Sequence, residues 1–297
     1  MKRELKVDNP QILLDKISEY FPNITWQKYV FLDHSWEFQV IILDNSIVFR
    51  FPTTKSLIPT LKREIQLLKI IKTDPRYDFP VYKYIAPEWQ FGGYNIVSGN
   101  ELDHKLFKQL IDRDRAQLSS NIGVFLKNLH NTSIPPGTTL RSTTRELLDE
   151  DSQLLQKCNQ HLKSILSERV FSDIKHVLTA AMELRSKTTD KKLIHGDFYG
   201  RHILWDSKLK LTGFIDFSDA NLGDPAIDFA ELFEFGVIFT RRVLTAYDST
   251  DSELLSRALV YYQRVGVYLM INSFEDTKIS FDEAHKLFLK ASNISLS

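Results

Sequence analysis

The hydrophobic pattern changes period once, near residue 100, and this change limits the fold more than any other feature of the chain. Before it, short β-prone runs alternate with turn signals: Ile24–Phe31, Glu37–Leu43 and Ser46–Phe51, then Pro80–Ile85 and Trp89–Val97. Asp44-Asn45 falls between the second and third runs, where a tight hairpin turn is expected. One helical stretch interrupts them, Leu57–Lys72, in which Leu57, Leu61, Leu68 and Ile71 share a stripe that also carries Glu64. After residue 100 the spacing is helical over Asp114–His130, Arg145–Leu166 and Asp173–Arg185. It breaks between Lys191 and Asp219, where Leu193-Ile194, Ile203–Trp205 and Leu211–Ile215 surround His195-Gly196-Asp197, and resumes at Pro225. The expectation is an α+β, bilobal chain. A small β-rich lobe, residues 1–98, holds five strands and one helix; a large helical lobe, 99–297, carries a short β insert.

Composition narrows the function. Lys+Arg and Asp+Glu both number 38, which argues against a nucleic-acid partner. The single cysteine, Cys158, permits neither an intrachain disulfide nor a cysteine zinc site. No signal-like segment and no apolar run of ~18 residues is present, so a cytoplasmic protein without a membrane partner is expected. Nothing resembles a coiled-coil seam, and a monomer is the default. The charge balance hides a local excess: Leu211–Thr240 holds six carboxylates (Asp216, Asp219, Asp224, Asp228, Glu231 and Glu234) and no Lys or Arg. Such a stretch would steer a cationic small molecule.

The segments LIHGDFYGRHILWD (Leu193–Asp206) and LTGFIDFSDANLGDPAIDF (Leu211–Phe229) carry the chemistry. Two strands ending in Asp197 and Asp216 can bring carboxylates to one end of a small sheet. Phosphoryl transfer needs such a set: one carboxylate for the acceptor hydroxyl, others for the metal that neutralises the phosphates. On the other side of the chain, Glu64 on a buried stripe requires a cation, and Arg50 in SIVFRFP is the candidate.

His195-Gly196-Asp197, His202 five residues after Asp197, Ile215-Asp216-Phe217 and Asp224-Pro225 with Asp228 together resemble the motifs of the aminoglycoside phosphotransferases, a protein-kinase-like family. The 2''-phosphotransferase branch is similar in carrying His at the position of His202. The resemblance implies a protein-kinase-like fold and transfer of the γ-phosphoryl group of GTP or ATP to an aminoglycoside hydroxyl, the 2''-OH, with antibiotic resistance as a role. It implies Asp197 as catalytic base, and His202 and Asp216 as ligands of Mg²⁺, with Mn²⁺ tolerated because one ligand is nitrogen. His195 braces the loop, with Asp228 as its partner.

On the nucleotide side the resemblance places Arg50 on the phosphates, paired with Glu64, and Tyr94 as a bulky gatekeeper of the kind associated with GTP. Main-chain groups of Asn95 and Val97 read the base and Ile215 packs on it. The stretch that would cover the phosphates, Phe31–Val40, contains no glycine, and Ser35 is the donor expected there. Glu231 and Glu234 are expected to bind the acceptor, whereas Phe235 and Ile238 stand where the 2''-phosphotransferases carry further acids. Two other readings stay open: a kinase for another hydroxylated metabolite or antibiotic, and a nucleotide-binding pseudokinase.

Overall fold

The structure, a computed structural model, describes residues 5–33, 37–138, 142–276 and 278–296. The first hundred residues contain helices α1 (Gln11–Tyr20) and α2 (Ile58–Leu68) and strands β1 (Tyr29–Leu32), β2 (Phe38–Leu43), β3 (Ile47–Pro52), β4 (Tyr77–Asp78), β5 (Tyr82–Ile85) and β6 (Gly92–Asn95); β7 (Asn100–Glu101) follows. Helices α3 (His104–Gln109), α4 (Asp112–His130), α5 (Thr144–His161) and α6 (Glu168–Lys187) come next. Strands β8 (Lys192–Ile194), β9 (Ile203–Asp206), β10 (Leu211–Phe214) and β11 (Asn221–Gly223) make the expected insert. The chain continues with α7 (Ile227–Ala230), α8 (Val237–Tyr247), α9 (Leu254–Asn272) and α10 (Phe281–Ser292).

By its contacts the chain divides into two units: residues 1–100 with 134–139 and 204–218, and the remainder. Residues 204–218 group with the first unit rather than with the helical part. The reason is pairing: β10 lies parallel to β4, with Thr212 opposite Tyr77 and Gly213 opposite Asp78.

In the first unit five strands form an antiparallel sheet in the order β1-β2-β3-β6-β5. The β2–β3 turn has positive φ at both central residues, 48° at Asp44 and 51° at Asn45, as a twist-matched two-residue hairpin requires. Alternation along the strands separates two faces. Ile41, Leu43, Phe49 and Phe51 pack against Leu13, Leu14 and Ile17 of α1. That helix is a second one where the sequence pattern gave only one; with three buried positions in ten residues its period is weak, and it is fixed by the sheet it covers. The strand expected from Ile24 begins at Tyr29, since Ile24 also turns onto the α1 face.

The second unit is built around α9, which packs on α6, α7 and α10. Its core includes Cys158, Ile174, Leu178, Val267, Met270 and Phe288. Helix starts follow sequence signals: Thr143 and Glu146 form a reciprocal capping box on α5, and Ser167 and Ser280 cap α6 and α10. Asp151 on α5 is fully buried and ion-paired to both Arg185 and Arg264, which ties α5 to α6 and α9. Among the described residues no helix is long and apolar enough to cross a membrane.

Candidate active site

The residues singled out in the sequence fall into two clusters, one in each unit. In the first unit Arg50 is the centre. Its Nη1 donates to both Glu64 oxygens at 2.6 and 2.8 Å, and its Nη2 donates to Asp216 Oδ1 at 3.0 Å. The guanidinium lies over the Phe38 ring, 4.3 Å from its centroid. Glu64 is fully buried, and burial pushes its carboxyl up to about 7 against the pull of Arg50; Tyr82 donates a further bond to it at 3.3 Å. Burying a carboxylate on the apolar stripe of α2 is tolerated because the Arg50 guanidinium stands opposite, one nitrogen serving both oxygens; removing one member of such a pair costs about 3–5 kcal/mol.

Asp216 closes this cluster. It follows β10 and Ile215, with φ at +63°, a left-handed conformation that a non-glycine residue holds at a cost of about 1–3 kcal/mol. Ser218 Oγ donates to the same Oδ1 at 2.9 Å, so the turn is held by its own hydroxyl as well as by Arg50.

The register extends the cluster along the sheet. Val30 lies opposite Ile42, Leu32 opposite Val40, Val40 opposite Arg50, Ile42 opposite Val48, and Val48 opposite Tyr94. Directly opposed residues share a face, so an apolar surface ends on the Arg50 guanidinium. Val30 and Leu32 are 45% and 41% exposed. This surface suits the flat apolar body of a nucleobase. Tyr94 is buried edge-on against Tyr82, Asn95 is exposed, and Val97 is buried where Gly213 leaves room; a Cβ on Gly213 would stand 2.4 Å from Val97. Ile215 is part-exposed, and Ser35 lies outside the described residues.

In the second unit β8 delivers His195-Gly196-Asp197. Gly196 has φ +84°, and a Cβ there would stand 2.5 Å from the Asp219 carbonyl, so conformation and space both demand glycine. Asp228 on α7, fully buried, accepts the main-chain N–H groups of His195 at 2.7 Å and Gly196 at 2.9 Å. Asp228 thus meets His195 at its main-chain N–H, whereas the expectation concerned the imidazole. It also receives a side chain absent from the sequence reading, His130 of α4, whose Nε2 donates at 3.0 Å while Nδ1 meets the Tyr247 hydroxyl at 3.0 Å.

The Asp197 side chain is 41% exposed, and its Oδ2 lies 3.5 Å from His202 Nδ1. His202 Nδ1 lies 2.8 Å from the Asp197 main-chain carbonyl. A carbonyl only accepts, so Nδ1 donates in this bond, which leaves Nε2 as the nitrogen through which a divalent cation would be met. Among the described residues no group of three or more His, Cys, Asp and Glu side chains is placed so that it could hold a metal ion.

Glu234 presents one oxygen to Gly200 N–H at 3.1 Å, and the other is 3.9 Å from His104 Nε2. Half of this carboxylate therefore belongs to the loop that follows Asp197. Phe235 is buried beside Phe107 and Phe239, at ring-centroid distances of 4.8 and 5.8 Å, while Ile238 is 72% exposed. Glu231 is pushed up to about 8 by burial, then by the charges of Asp197 and Glu234. A carboxyl raised in the fold favours folding while protonated; that contribution is complete below about pH 4.5 and is lost as pH rises through about 8. Glu231→Gln is expected to flatten the fall of Tm between about pH 4.5 and about pH 8, by about 1 kcal/mol allowing for its partial exposure. An unchanged slope in thermal melts would contradict the assignment.

Residues 28–261 match the family described as Phosphotransferase enzyme family. The GDP and kanamycin complex of an APH(2'') enzyme superposes with a TM-score of 0.80 at 24% identity, covering 95% of this chain and 99% of that one. A streptomycin–ATP–APH(2'') ternary complex gives 0.71 at 19%, covering 96% and 97%. An uncharacterized protein of Bacillus subtilis (strain 168), YcbJ, is 39% identical over 67 residues, which is 22% of each chain. The fold is shared along nearly the whole length with these kinase-like structures, and the family match spans both clusters. The chain belongs to the phosphotransferase enzyme family.

Proposed function

We propose that this protein is a nucleotide-dependent small-molecule kinase that transfers the γ-phosphoryl group of GTP or ATP to a hydroxyl of a cationic aminoglycoside, the 2''-OH. The observation that carries the reading is the Asp197 loop. Its backbone is pinned by Asp228 at His195 and Gly196, leaving the Asp197 carboxylate accessible. In the reaction Asp197 orients the acceptor hydroxyl and takes its proton as the new O–P bond forms and the bond from the γ-phosphorus to the β-phosphate oxygen breaks. Arg50, aligned by Glu64 and Phe38, binds the phosphates. His202 and Asp216 would hold Mg²⁺ or Mn²⁺, which neutralises charge on the phosphates. The apolar face from Val30 to Val48 takes the base, with Tyr94 behind it favouring GTP. Glu231 and Glu234 face the amines of the acceptor.

One observation supports a second acceptor class. Ile238 is exposed and Phe235 sits among aromatic rings, which favours a less highly charged alcohol, such as an amino sugar or another antibiotic. Phosphorylation of an aminoglycoside panel and of neutral and monoamine alcohols, with GTP and with ATP, decides between them. Product formation only on polyamines supports the first reading, and only on the others the second. Nucleotide binding without any product supports a pseudokinase.

A further inference from the structure

Arg63 stands one residue before Glu64 on α2 and is 6% exposed. Its Nη2 donates to the main-chain carbonyl of Ser218 at 2.6 Å. A guanidinium is costly to bury, so a short charge-assisted bond to one particular carbonyl fixes both ends. That carbonyl lies two residues beyond Asp216, in the turn where Asp216 holds φ +63° and Ser218 Oγ bonds its carboxylate. The next residue of the helix reaches the same turn by another route: Glu64 holds Arg50, and Arg50 Nη2 meets Asp216 Oδ1.

Consecutive residues of a helix point about 100° apart, so Arg63 and Glu64 approach the turn from different directions. One acts on the backbone, the other through the Asp216 side chain. A left-handed aspartate persists only where its surroundings over-determine it, and the Arg63 bond supplies a constraint on the peptide that Arg50 does not touch. We infer that Arg63 is a positioning residue for Asp216, holding the turn so that its carboxylate is presented to the metal–nucleotide. The inference rests on the reading of Asp216 as a metal-side carboxylate.

The test compares wild type, R63M and R63K. Calorimetric titration of non-hydrolysable GTP and ATP analogues is run with and without Mg²⁺, and amide hydrogen exchange of residues 215–219 is followed in ligand-free protein. R63M is expected to lose about tenfold to a hundredfold of the metal-dependent part of nucleotide affinity, with metal-free affinity within about twofold. Exchange at 215–219 accelerates in R63M, and R63K restores most of both, since an ammonium can still donate to a single carbonyl. Equal losses with and without metal, or unchanged exchange in folded R63M, would overturn the role. If R63M does not fold, R63Q is set against R63K: a graded loss confined to the metal-dependent part supports the role, and indistinguishable variants overturn it. Absence of metal-dependent binding in wild type would refute the reading of Asp216, while the exchange result still decides whether Arg63 holds the turn.

Discussion

Asp197→Asn is expected to lower turnover by about a thousandfold, within the range that a positioned general base supplies, and to leave nucleotide affinity nearly unchanged. The substitution is close to isosteric, and the loop stays held by Asp228 through the N–H groups of His195 and Gly196. His202 Nδ1 keeps its bond to the Asp197 main-chain carbonyl at 2.8 Å and loses only the more distant carboxylate charge at 3.5 Å. The side chain is partly in solvent, so stability changes by no more than about 0.5 kcal/mol. A second signature accompanies the loss. The Asp197 charge helps to raise Glu231, so its removal moves the Glu231 titration downward from about 8. Single-turnover kinetics with bound nucleotide and acceptor, together with pH-dependent melts, check both parts. Near-full activity in Asp197→Asn would remove this residue from the reaction; an undisplaced Glu231 titration would show that burial and Glu234 set it without Asp197.

The parts of the site that the sequence made legible are those whose cause is local or whose cost is severe. Asp44-Asn45 announced its hairpin because two positive φ angles favour those side chains. Glu64 announced Arg50 because a carboxylate on an apolar helical stripe cannot be buried alone, and the observed pair meets that demand. The residues that went unread act across long separations. His130 reaches Asp228 over 98 positions, and Arg63 reaches Ser218 over 155. A histidine or arginine on an amphipathic helix carries no mark of such a partner, because the demand arises only when the helix is packed. Phe38 read as an ordinary strand aromatic, and its service to Arg50 depends on the register of β2 against β3. Glu234 was legible as an acid near the site, but its bond to Gly200 required the fold. The missed helix α1 has the opposite cause: with three buried positions in ten residues, its apolar pattern is too short to separate from strand.

Asp228→Ala is the substitution expected to cost most in stability, about 3–5 kcal/mol. Asp228 and His130 are both withdrawn from solvent, and the carboxylate accepts from two main-chain donors and one imidazole. Truncation leaves all three donors buried, and water can follow only by opening the loop. Asp228→Asn separates the contributions. Its amide oxygen can serve one donor, but the NH₂ group then faces another N–H, so the loop keeps its packing and loses one anchor. Asp228→Asn is therefore expected to fold with an intermediate loss in denaturant titration. Its turnover should fall more than its nucleotide affinity, because the carboxylate displaced is that of Asp197 while the Arg50 cluster lies outside the substitution. His130→Phe provides the complementary case. It removes the imidazole and leaves both backbone anchors, so stability falls while turnover per folded molecule is largely kept. If His130→Phe instead lost turnover as severely as Asp228→Asn, the alignment of Asp197 would depend on the imidazole–carboxylate pair as a whole rather than on the two backbone bonds.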